Sequence, residues 1–330
     1  MIKRLKNYIL LVTIFSILVF NLYSEDGVAK VELIKGKVFV TFESGEKRDL
    51  KLKEILPVNS VIETKKNSKA VLLVKEIGKV ELEENSILKL DKPYLQKLQT
   101  HLSLTKGSAK FKVSKLVKDE KLNVFTPTAV VGVRGTDYEI QIADDGSTAI
   151  NVSDGIVNVK NEEKEIELNK NQSCESPVDS KNIMQENNPK NMREWKKNKN
   201  SELKTAPVEK IKNIKNRLGE TVESQEKISK EVVDENSAKT NIEEFRFNCA
   251  KSEGLFNAAN NVVSSAPNNE SVKNEFIEVS SLYSKIERMN KEIDEKFKKL
   301  DREYELKLKK IEKKFEEQEK KLEKKLEKYK

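Results

Sequence analysis

Residues 126–142 are Thr-Pro-Thr-Ala-Val-Val-Gly-Val-Arg-Gly-Thr-Asp-Tyr-Glu-Ile-Gln-Ile. On each side of a break, side chains at a period of two share one face of an extended strand: Ala129, Val131 and Val133, then Tyr138, Ile140 and Ile142. The break is at residues 134–137, where Gly135 can take a positive φ that Val or Tyr disfavours. Pro127 cannot donate to a ladder and therefore marks the start of the first half. We predict two strand halves that share one core and are joined by a kink or bulge.

This stretch resembles the signature of the FecR domain of bacterial envelope proteins. In that signature, Thr-Pro and a small apolar alternation precede Val-Arg-Gly-Thr, an aromatic residue and further alternation. The matching positions are Thr126, Pro127, Ala129, Val133, Arg134, Gly135, Thr136, Tyr138 and Ile140. Looser features extend the resemblance over about residues 29–173. The resemblance implies an extracytoplasmic, all-β module that often acts in signalling or ligand sensing and has no catalytic residues.

Two opposite charges, Arg134 and Asp137, lie inside the motif. We predict that they form an ion pair at the kink, and contact of this pair with a ligand is the alternative. The motif is therefore treated as a structural or binding element, with no catalytic, cofactor or metal role assigned to it.

The composition sets outer limits on the architecture. The chain has 330 residues, of which 36% are charged and 36% hydrophobic, and this is too polar for one large core. We therefore predict a compact part followed by an extended part. The formal charge of +8 includes Lys3, Arg4 and Lys6, so a processed chain would carry 8 − 3 = +5. A mild excess spread among many acids does not favour a nucleic-acid partner, and none is predicted.

Residues 1–24 have the features of an export signal. Lys3, Arg4 and Lys6 precede an apolar run at residues 9–20, which is too short for an ordinary membrane-spanning helix. We predict a signal peptide, with an uncleaved short anchor as the alternative. The protein is then exported, and lies in the periplasm or is anchored at the outer face of the inner membrane. Only residues 1–7 precede the apolar run, so we do not expect the cytoplasmic sigma-factor-binding region that FecR regulators carry.

Residues 28–173 are predicted to be the FecR-like β domain. Short alternating segments follow one another, and turn-forming pairs such as Ser44-Gly45 and Lys106-Gly107 separate them. Regular spacing of this kind predicts short antiparallel strands in a sandwich, a roll or a solenoid-like arrangement. The sequence does not choose among these three.

Residues 174–240 are predicted to be a polar linker with nascent helices. Trp195 is the one aromatic residue in this segment, so little apolar surface is available to order it. Trp195 either docks onto the β domain or lies exposed. Residues 190–215 hold nine basic and three acidic residues. Contact with anionic lipid or wall polymer is one interpretation of this excess, and a solvated charged helix is the commoner one.

Residues 241–330 are predicted to be helical, with a turn at residues 266–269. No Gly or Pro interrupts residues 274–330, and an eleven-residue apolar repeat begins at Leu282. Its columns are Leu282, Ile293, Tyr304, Phe315 and Leu326, then Met289, Leu300, Ile311 and Leu322, then Ile286, Phe297 and Leu308. A period of about 3.67 predicts a nearly straight stripe with a weakly right-handed supercoil. A coiled coil or helix hairpin that oligomerises would cover this stripe, and another protein or a membrane surface are the alternatives.

The sequence contains few candidate reactive groups. His101 is the one histidine, and its place in an alternating strand predicts an exposed position. Cys174 and Cys249 can pair in a disulfide or remain two free thiols. The motifs Asp144-Asp145-Gly146 and Ser153-Asp154-Gly155 are predicted to be hairpin turns, because they lack the ligand pattern of a calcium loop. We predict no metal and no cofactor.

These observations lead to two hypotheses of function. The first is a non-enzymatic envelope module that binds or senses a partner, either an envelope protein or a cell-wall ligand. The second is a structural envelope scaffold whose helical tail oligomerises or spaces its partners. Self-association through the C-terminal helix is compatible with both.

Overall fold

The computed structural model describes residues 27–75, 77–95, 99–114, 121–133 and 135–327. The predicted export signal at residues 1–24 and the motif residue Arg134 lie outside the described residues. The predicted fold class is confirmed, because strands fill the N-terminal part and helices the C-terminal part.

Two nine-stranded sheets form the β domain. In chain order the strands are β1 (Ala29–Lys35), β2 (Val38–Thr41), β3 (Lys47–Asp49), β4 (Ile55–Leu56), β5 (Val61–Thr64), β6 (Lys69–Val74), β7 (Gly78–Leu82), β8 (Ile87–Asp91), β9 (Gln99–Lys106), β10 (Ser108–Val113), β11 (Lys121–Phe125), β12 (Val130–Val133), β13 (Asp137–Ile142), β14 (Thr148–Asp154), β15 (Ile156–Lys160), β16 (Glu165–Asn169), β17 (Ser173–Ser176) and β18 (Met184–Glu186). The first sheet has the order β18-β17-β14-β13-β10-β7-β6-β1-β4, and the second has the order β16-β15-β12-β11-β9-β8-β5-β2-β3.

The inward faces of the two sheets form one core. Alternate residues are buried along strands with one exposed face, as in β13, where Tyr138, Ile140 and Ile142 point inward. Neighbouring strands pair antiparallel, except that β9 and β11 pair parallel. The chain advances from one end of the sandwich to the other as it alternates between the sheets.

A residue with positive φ lies at every crossing between the sheets that the described residues contain. These residues are Gly36, Lys53, Asn59, Asn67, Asn85, Gly107, Gly135, Gly155 and Asn171. Asn and Gly tolerate this conformation better than other residues do. At Gly135 φ is +77°, which confirms the predicted kink. The two strand halves share one core, although β12 lies in the second sheet and β13 in the first.

The two Asp-Gly motifs have different structures. Asp144-Asp145-Gly146 joins β13 to β14 as a hairpin, and Ser147 N donates to Asp145 Oδ1 at 2.9 Å. The prediction of a second hairpin at Ser153-Asp154-Gly155 is wrong. This segment carries the chain from β14 in the first sheet to β15 in the second, because the positive φ of Gly155 redirects the strand away from its neighbour.

Four helices follow the sheets: α1 (Met192–Thr205), α2 (Pro207–Glu231), α3 (Glu235–Ser265) and α4 (Glu270–Glu327). The Asp234 and Ser237 side chains form a capping box at the start of α3. The predicted turn at residues 266–269 separates α3 from α4. Helices α2, α3 and α4 pack against one another as a three-helix bundle.

Residues 174–240 differ from the predicted polar linker, because they form β17, β18, α1 and α2. Each helix has few apolar residues, but these lie on one face and are buried, as with Ile211, Ile214 and Leu218. Trp195 docks onto the β domain beside Ala143, and its Nε1 donates to Glu175 Oε2 at 2.8 Å. A small apolar face suffices here because the neighbouring sheet and helices cover it.

The apolar stripe of α4 is covered by its own chain over its first half. Ile286, Ile293 and Phe297 are fully buried against α2 and α3, whereas Phe315 is 66% exposed. Among the described residues, no helix has both the length and the apolar content needed to cross a membrane.

Candidate functional site

The Thr126 end of the signature is a buried network of hydroxyl groups. Thr126 Oγ1 donates to Ala129 O at 2.8 Å and accepts from Thr148 Oγ1 at 3.1 Å. Thr128 Oγ1 donates to Ser176 O, and Ser176 Oγ donates to Thr128 O, each at 2.8 Å. This network ties the turn before β12 to β14 and β17, so it fixes the position of β12.

Pro127 packs directly against helix α3. A Cβ atom added to Gly254 would lie 2.2 Å from Pro127 Cγ and 3.2 Å from Thr105 O. Real Cβ atoms do not approach other atoms this closely, so only glycine fits at this point of α3. The signature therefore contacts the helical part of the molecule as well as its own sheets.

The Gly135 end of the signature is a crossing between the sheets. Thr136 Oγ1 donates to Ile156 O at 2.8 Å, and a Cβ atom at Gly155 would lie 2.8 Å from Gly135 O. Two crossings thus lie side by side and bond to each other. Asp137 opens β13, but the predicted ion pair with Arg134 falls outside the described residues.

Tyr138 of the signature is a core residue. Its ring stacks on Phe111 with the ring centres 4.7 Å apart. Burial raises the pKa of the Tyr138 hydroxyl well above its ordinary value, so the group stays neutral. This residue therefore contributes packing and makes no contact with solvent.

A groove on the outer face of the second sheet lies between these two ends. We call it the signature groove, and its volume is about 750 Å³. Its lining includes Lys121, Asn123, Val130, Gly132, Ile156, Asn158, Lys160 and, from α3, Glu243. Gly132 lies on the floor, where a Cβ atom would have no neighbour nearer than 3.4 Å. The lack of a side chain there keeps the floor open.

Amide groups connect the floor of the signature groove to its sides. Asn123 Nδ2 donates to Glu243 Oε1 at 3.2 Å, which links β11 to α3. Asn158 Nδ2 donates to Glu165 Oε1 at 2.8 Å. Val130 and Ile156 add apolar surface, and Ile156 is 51% exposed. The groove can therefore accept apolar groups on its floor and hydrogen-bonding groups along its sides.

A smaller recess of about 360 Å³ adjoins the groove and shares Val130, Lys160 and Glu243 with it. Inside it, Lys251 Nζ lies 2.7 Å from Glu162 Oε1. Burial lowers the pKa of Lys251. Burial alone would raise the pKa of Glu162, but the Lys251 and Arg217 cations outweigh it and lower that pKa. The recess thus contains an ion cluster in which the Lys251 and Arg217 cations offset the negative charge of Glu162.

A buried cation joins the β domain to the helices. Arg246 of α3 is 2% exposed, and its Nη1 lies 3.7 Å from Asp91 Oδ1 and 3.9 Å from Asp294 Oδ1. Its Nη2 donates to Lys92 O at 3.0 Å, and its guanidinium lies 4.9 Å from the Tyr94 ring centre. One side chain therefore bridges β8, α3 and α4.

The prediction that His101 is exposed is wrong, because α3 covers this face of β9. The ring is buried, packs edge-on against Phe125 with the ring centres 5.4 Å apart, and lies 3.1 Å from Gln99 Oε1. Burial, with the nearby Arg246 cation, lowers the pKa of His101 to about 4, although Asp91 opposes the shift. The imidazole is therefore neutral at neutral pH.

The two cysteines are free thiols, so the disulfide considered from the sequence is not formed. Cys174 lies in the core between the sheets, whereas Cys249 packs with the cluster that joins α3 to α4. Burial raises the pKa of each thiol to about 12. The described residues hold no group of three or more His, Cys, Asp or Glu arranged for a metal ion.

Several cations of the basic run at residues 190–215 are used inside the molecule. Lys199 Nζ lies 2.7 Å from Glu175 Oε1, and Lys210 Nζ lies 3.3 Å from Asp145 Oδ2. These two pairs hold α1 and α2 against the first sheet. The positive charge of the segment therefore serves docking in large part, which the sequence count could not distinguish from an exposed patch.

The groove, Gly254 and Arg246 were not singled out from the sequence. Gly132 and Gly254 are isolated glycines without a turn motif around them. Nothing in the sequence around Arg246 sets it apart from other charged residues, and its partner Asp91 lies far from it in the chain, on β8. Only the signature at residues 126–142 indicated where the groove lies, since β12 belongs to the signature and forms the floor of the groove.

The comparison with protein families agrees with the resemblance seen in the sequence. Residues 60–158 match the family model described as FecR protein. Two crystal structures of a candidate anti-sigma factor from Parabacteroides distasonis ATCC 8503 are similar at 19% identity, with a TM-score of 0.36. Each match covers 39% of this chain and 60% of the other. A structure described as a cell surface anchoring domain matches 19% of this chain and 84% of its own, with a TM-score of 0.19 and 19% identity. No curated protein matches the chain.

Proposed function

We propose, from the premise that residues 60–158 form a FecR domain, that this protein is a non-enzymatic sensing module of the cell envelope. A FecR domain supports a regulatory role in signalling. The observation that carries the proposal is the signature groove, whose floor is the signature strand β12. The export-type sequence of residues 1–24 supports a periplasmic location or an anchor at the outer face of the inner membrane.

The chemistry of the groove favours a segment of an envelope protein as the ligand. Its floor offers Val130, Gly132 and Ile156 to apolar side chains, and Asn123 and Asn158 can bond to a peptide backbone. The residues that line the groove include no aromatic ring on which a sugar could stack. A cell-wall ligand is therefore the weaker candidate, and nucleic acid is not proposed.

The proposal of a non-enzymatic role rests on the surroundings of the reactive groups. The one histidine of the sequence is enclosed beneath α3. Lys251 and Glu162 of the adjoining recess are paired with each other. These contacts suit a binding surface better than a site of proton transfer.

Filling the groove tests the proposal. Gly132→Trp places an indole on the floor, and Gly219→Trp places the same group on α2, where a Cβ atom would have no neighbour within 4 Å. Each full-length chain is expressed in its own host, cross-linked in intact cells and isolated with its partners. We expect the wild type and Gly219→Trp to share an envelope-protein partner that Gly132→Trp loses.

The same partner on all three chains would overturn the assignment of the groove. Circular dichroism and thermal unfolding of both variants check that neither substitution has disturbed the fold. Digestion of the cross-linked material with a peptidoglycan hydrolase separates a protein partner from a cell-wall polymer, since only the latter is then lost.

A structural scaffold is the second candidate, and the length of α4 favours it. The helix has 58 residues and thus spans about 87 Å at 1.5 Å per residue. A chain ending at Lys307 keeps the groove but lacks the last part of α4. If the scaffold role is correct, cross-links to envelope components disappear in this truncation and persist in Gly132→Trp. The sensing role predicts the opposite pair of results.

A further inference from the structure

The last part of α4 has no partner helix within its own described chain. Helix α3 runs antiparallel to α4 and begins at Glu235, whose Oε2 lies 3.5 Å from Lys307 Nζ. Helix α2 ends at Glu231. From residue 308 to residue 327 the helix therefore continues for 20 residues, or about 30 Å, beyond the bundle.

The apolar seam of the bundle continues into this free part. Ile293 and Phe297 are fully buried in the bundle, and Tyr304 packs against the same cluster. Leu308, Ile311 and Phe315 follow at spacings of four, three and four residues, and so remain on the same face. Ile311 is 49% exposed and Phe315 66%. The apolar face of α4 thus continues past the ends of α2 and α3, where neither helix covers it.

The eleven-residue repeat and a heptad coincide over residues 304–315, so the start of this free part can be given heptad positions. Leu308 and Phe315 take the a positions, and Ile311 and Gln318 take the d positions. The flanking g and e positions hold Lys307 and Glu312. In a parallel pair of helices, a g residue faces the e residue five positions later on the partner. Lys307, which lies at the end of the bundle 3.5 Å from Glu235 of its own chain, would then face Glu312 of the other copy. The next g and e positions, 314 and 319, are again Lys and Glu in the sequence, so this segment is complementary to itself.

We propose that the free part of α4 pairs with the same segment of a second copy as a parallel, in-register coiled coil. The seam and the opposite flanking charges favour a second copy over an unrelated partner. The arrangement has twofold symmetry, so each copy presents the same surface. Both β domains lie at the same end of the coil, and both signature grooves stay open. Few heptads, with Gln318 at a core position, make this pairing weak and dependent on protein concentration.

Single cysteines test both the pairing and its direction. Ile311→Cys and Gln318→Cys place a thiol at two successive d positions, and Glu317→Cys places one on the outer face as a control. Cys174 is fully buried in the β core, and each variant is made in a Cys249→Ser background because Cys249 is only half-buried. Under mild oxidation of the full-length chain, we expect disulfide-linked dimers from both d variants and at least tenfold less from Glu317→Cys.

Each other outcome overturns the proposal. A cross-link from only one of the two d variants indicates antiparallel pairing, since an antiparallel pair can bring only one of these positions together with itself. Equal cross-linking of all three variants indicates random collision. No cross-link from either d variant shows that the segment does not pair.

Sedimentation equilibrium on the otherwise native sequence provides a second measurement. We expect the wild-type mass to rise towards that of a dimer with concentration, and Phe315→Glu to raise the dissociation constant at least tenfold. Gly132→Trp should leave that constant unchanged, so this result is independent of what the groove binds. A wild-type chain that stays monomeric at the highest concentration, or a Phe315→Glu chain that associates as well as the wild type, would reject the proposal.

Discussion

The β domain and the helical part differ in where their structural information lies. In the β domain, single residues with positive φ mark each described crossing between the sheets, and the alternation between them defines the inward faces. In the helical part, the apolar face of each helix takes a fixed position only because a neighbouring helix or sheet packs on it. Local conformation therefore determines the path of the first region, and long-range packing determines that of the second.

The β domain and the helices meet at an interface to which both a local turn and a long-range ion pair contribute. Pro127 of the signature packs on Gly254 of α3, and Arg246 of α3 reaches Asp91 of β8. A buried ion pair is costly to desolvate but also costly to break on one side. Variants at this interface therefore measure how strongly the helices depend on the β domain.

The largest effect is expected at Arg246. In Arg246→Ala the buried carboxylate of Asp91 keeps Lys89 but loses the Arg246 cation, and Tyr94 also loses its packing against the guanidinium. We therefore expect the free energy of unfolding to fall by about 3 kcal/mol. Urea denaturation measures this loss. Lys197→Ala, at an exposed position of α1, is the control and should stay within about 0.5 kcal/mol of the wild type. A loss below about 1 kcal/mol at Arg246 would show that buried charge does not hold the two regions together.

A pair of glycine variants is expected to act in opposite directions. Gly254→Ala forces a Cβ atom against Pro127 and should destabilise the protein by about 1–3 kcal/mol. Gly219→Ala, in α2, has open space and should stabilise it by about 0.5–1 kcal/mol. The same urea titration measures both. Stabilisation by both variants would mean that α3 can move away from the signature.

The burial of His101 predicts a pH dependence. The folded pKa of about 4 lies below the ordinary value of 6.5, so the unfolded state binds a proton first as the pH falls. This contribution to stability is present above pH 6.5 and is lost as the pH falls towards 4. From pH 7 to pH 5 it amounts to about 2 kcal/mol.

The variant His101→Gln tests this prediction, because the sequence contains no other histidine. Denaturant titrations at pH 7, 6 and 5 should show a smaller loss of stability in the variant than in the wild type. Carboxylates titrate in both proteins and cancel in the comparison. Parallel pH curves would indicate that α3 does not cover β9 in solution.

The smallest effect concerns thiol reactivity and leaves stability unchanged. Cys174 is fully buried, and burial raises the pKa of both thiols. Without reductant, we expect two thiols per chain to react with Ellman's reagent in denaturant. In the native protein at pH 8, Cys174 should stay unreactive and the half-buried Cys249 should react more slowly than it does in denaturant. Loss of both thiols from the denatured chain would indicate that the disulfide forms after all.

Much of the β domain could be predicted from the sequence. Gly135 marked a change of direction, and the residues around it marked the inward faces of β12 and β13. The turn at residues 266–269 was also predicted, because Pro and Asn there interrupt two helical patterns. In these cases the deciding residue and the structural feature lie at the same place in the chain.

The remaining features could not be predicted because their cause lies elsewhere in the chain. His101 shares an alternating polar face with Ser103, and such a face is usually solvated, yet α3 covers it. Trp195 stands among polar residues, but its cover is supplied by Ala143 and Ala149 of the β domain. The signature groove likewise exists because α3 covers β9, β11 and the start of β12 at Val130 but leaves Gly132 and β15 open.

The succession of crossings has a consequence for how such a domain can change in size. From β5 onward, each passage between the sheets adds a strand to the growing end of one layer without closing a barrel. A duplication or deletion of one passage and its return would lengthen or shorten the stack by a whole rung, while the core on either side kept its contacts. Relatives of different length are therefore expected to differ by complete rungs, with a residue of positive φ, most often Asn or Gly, at each corner.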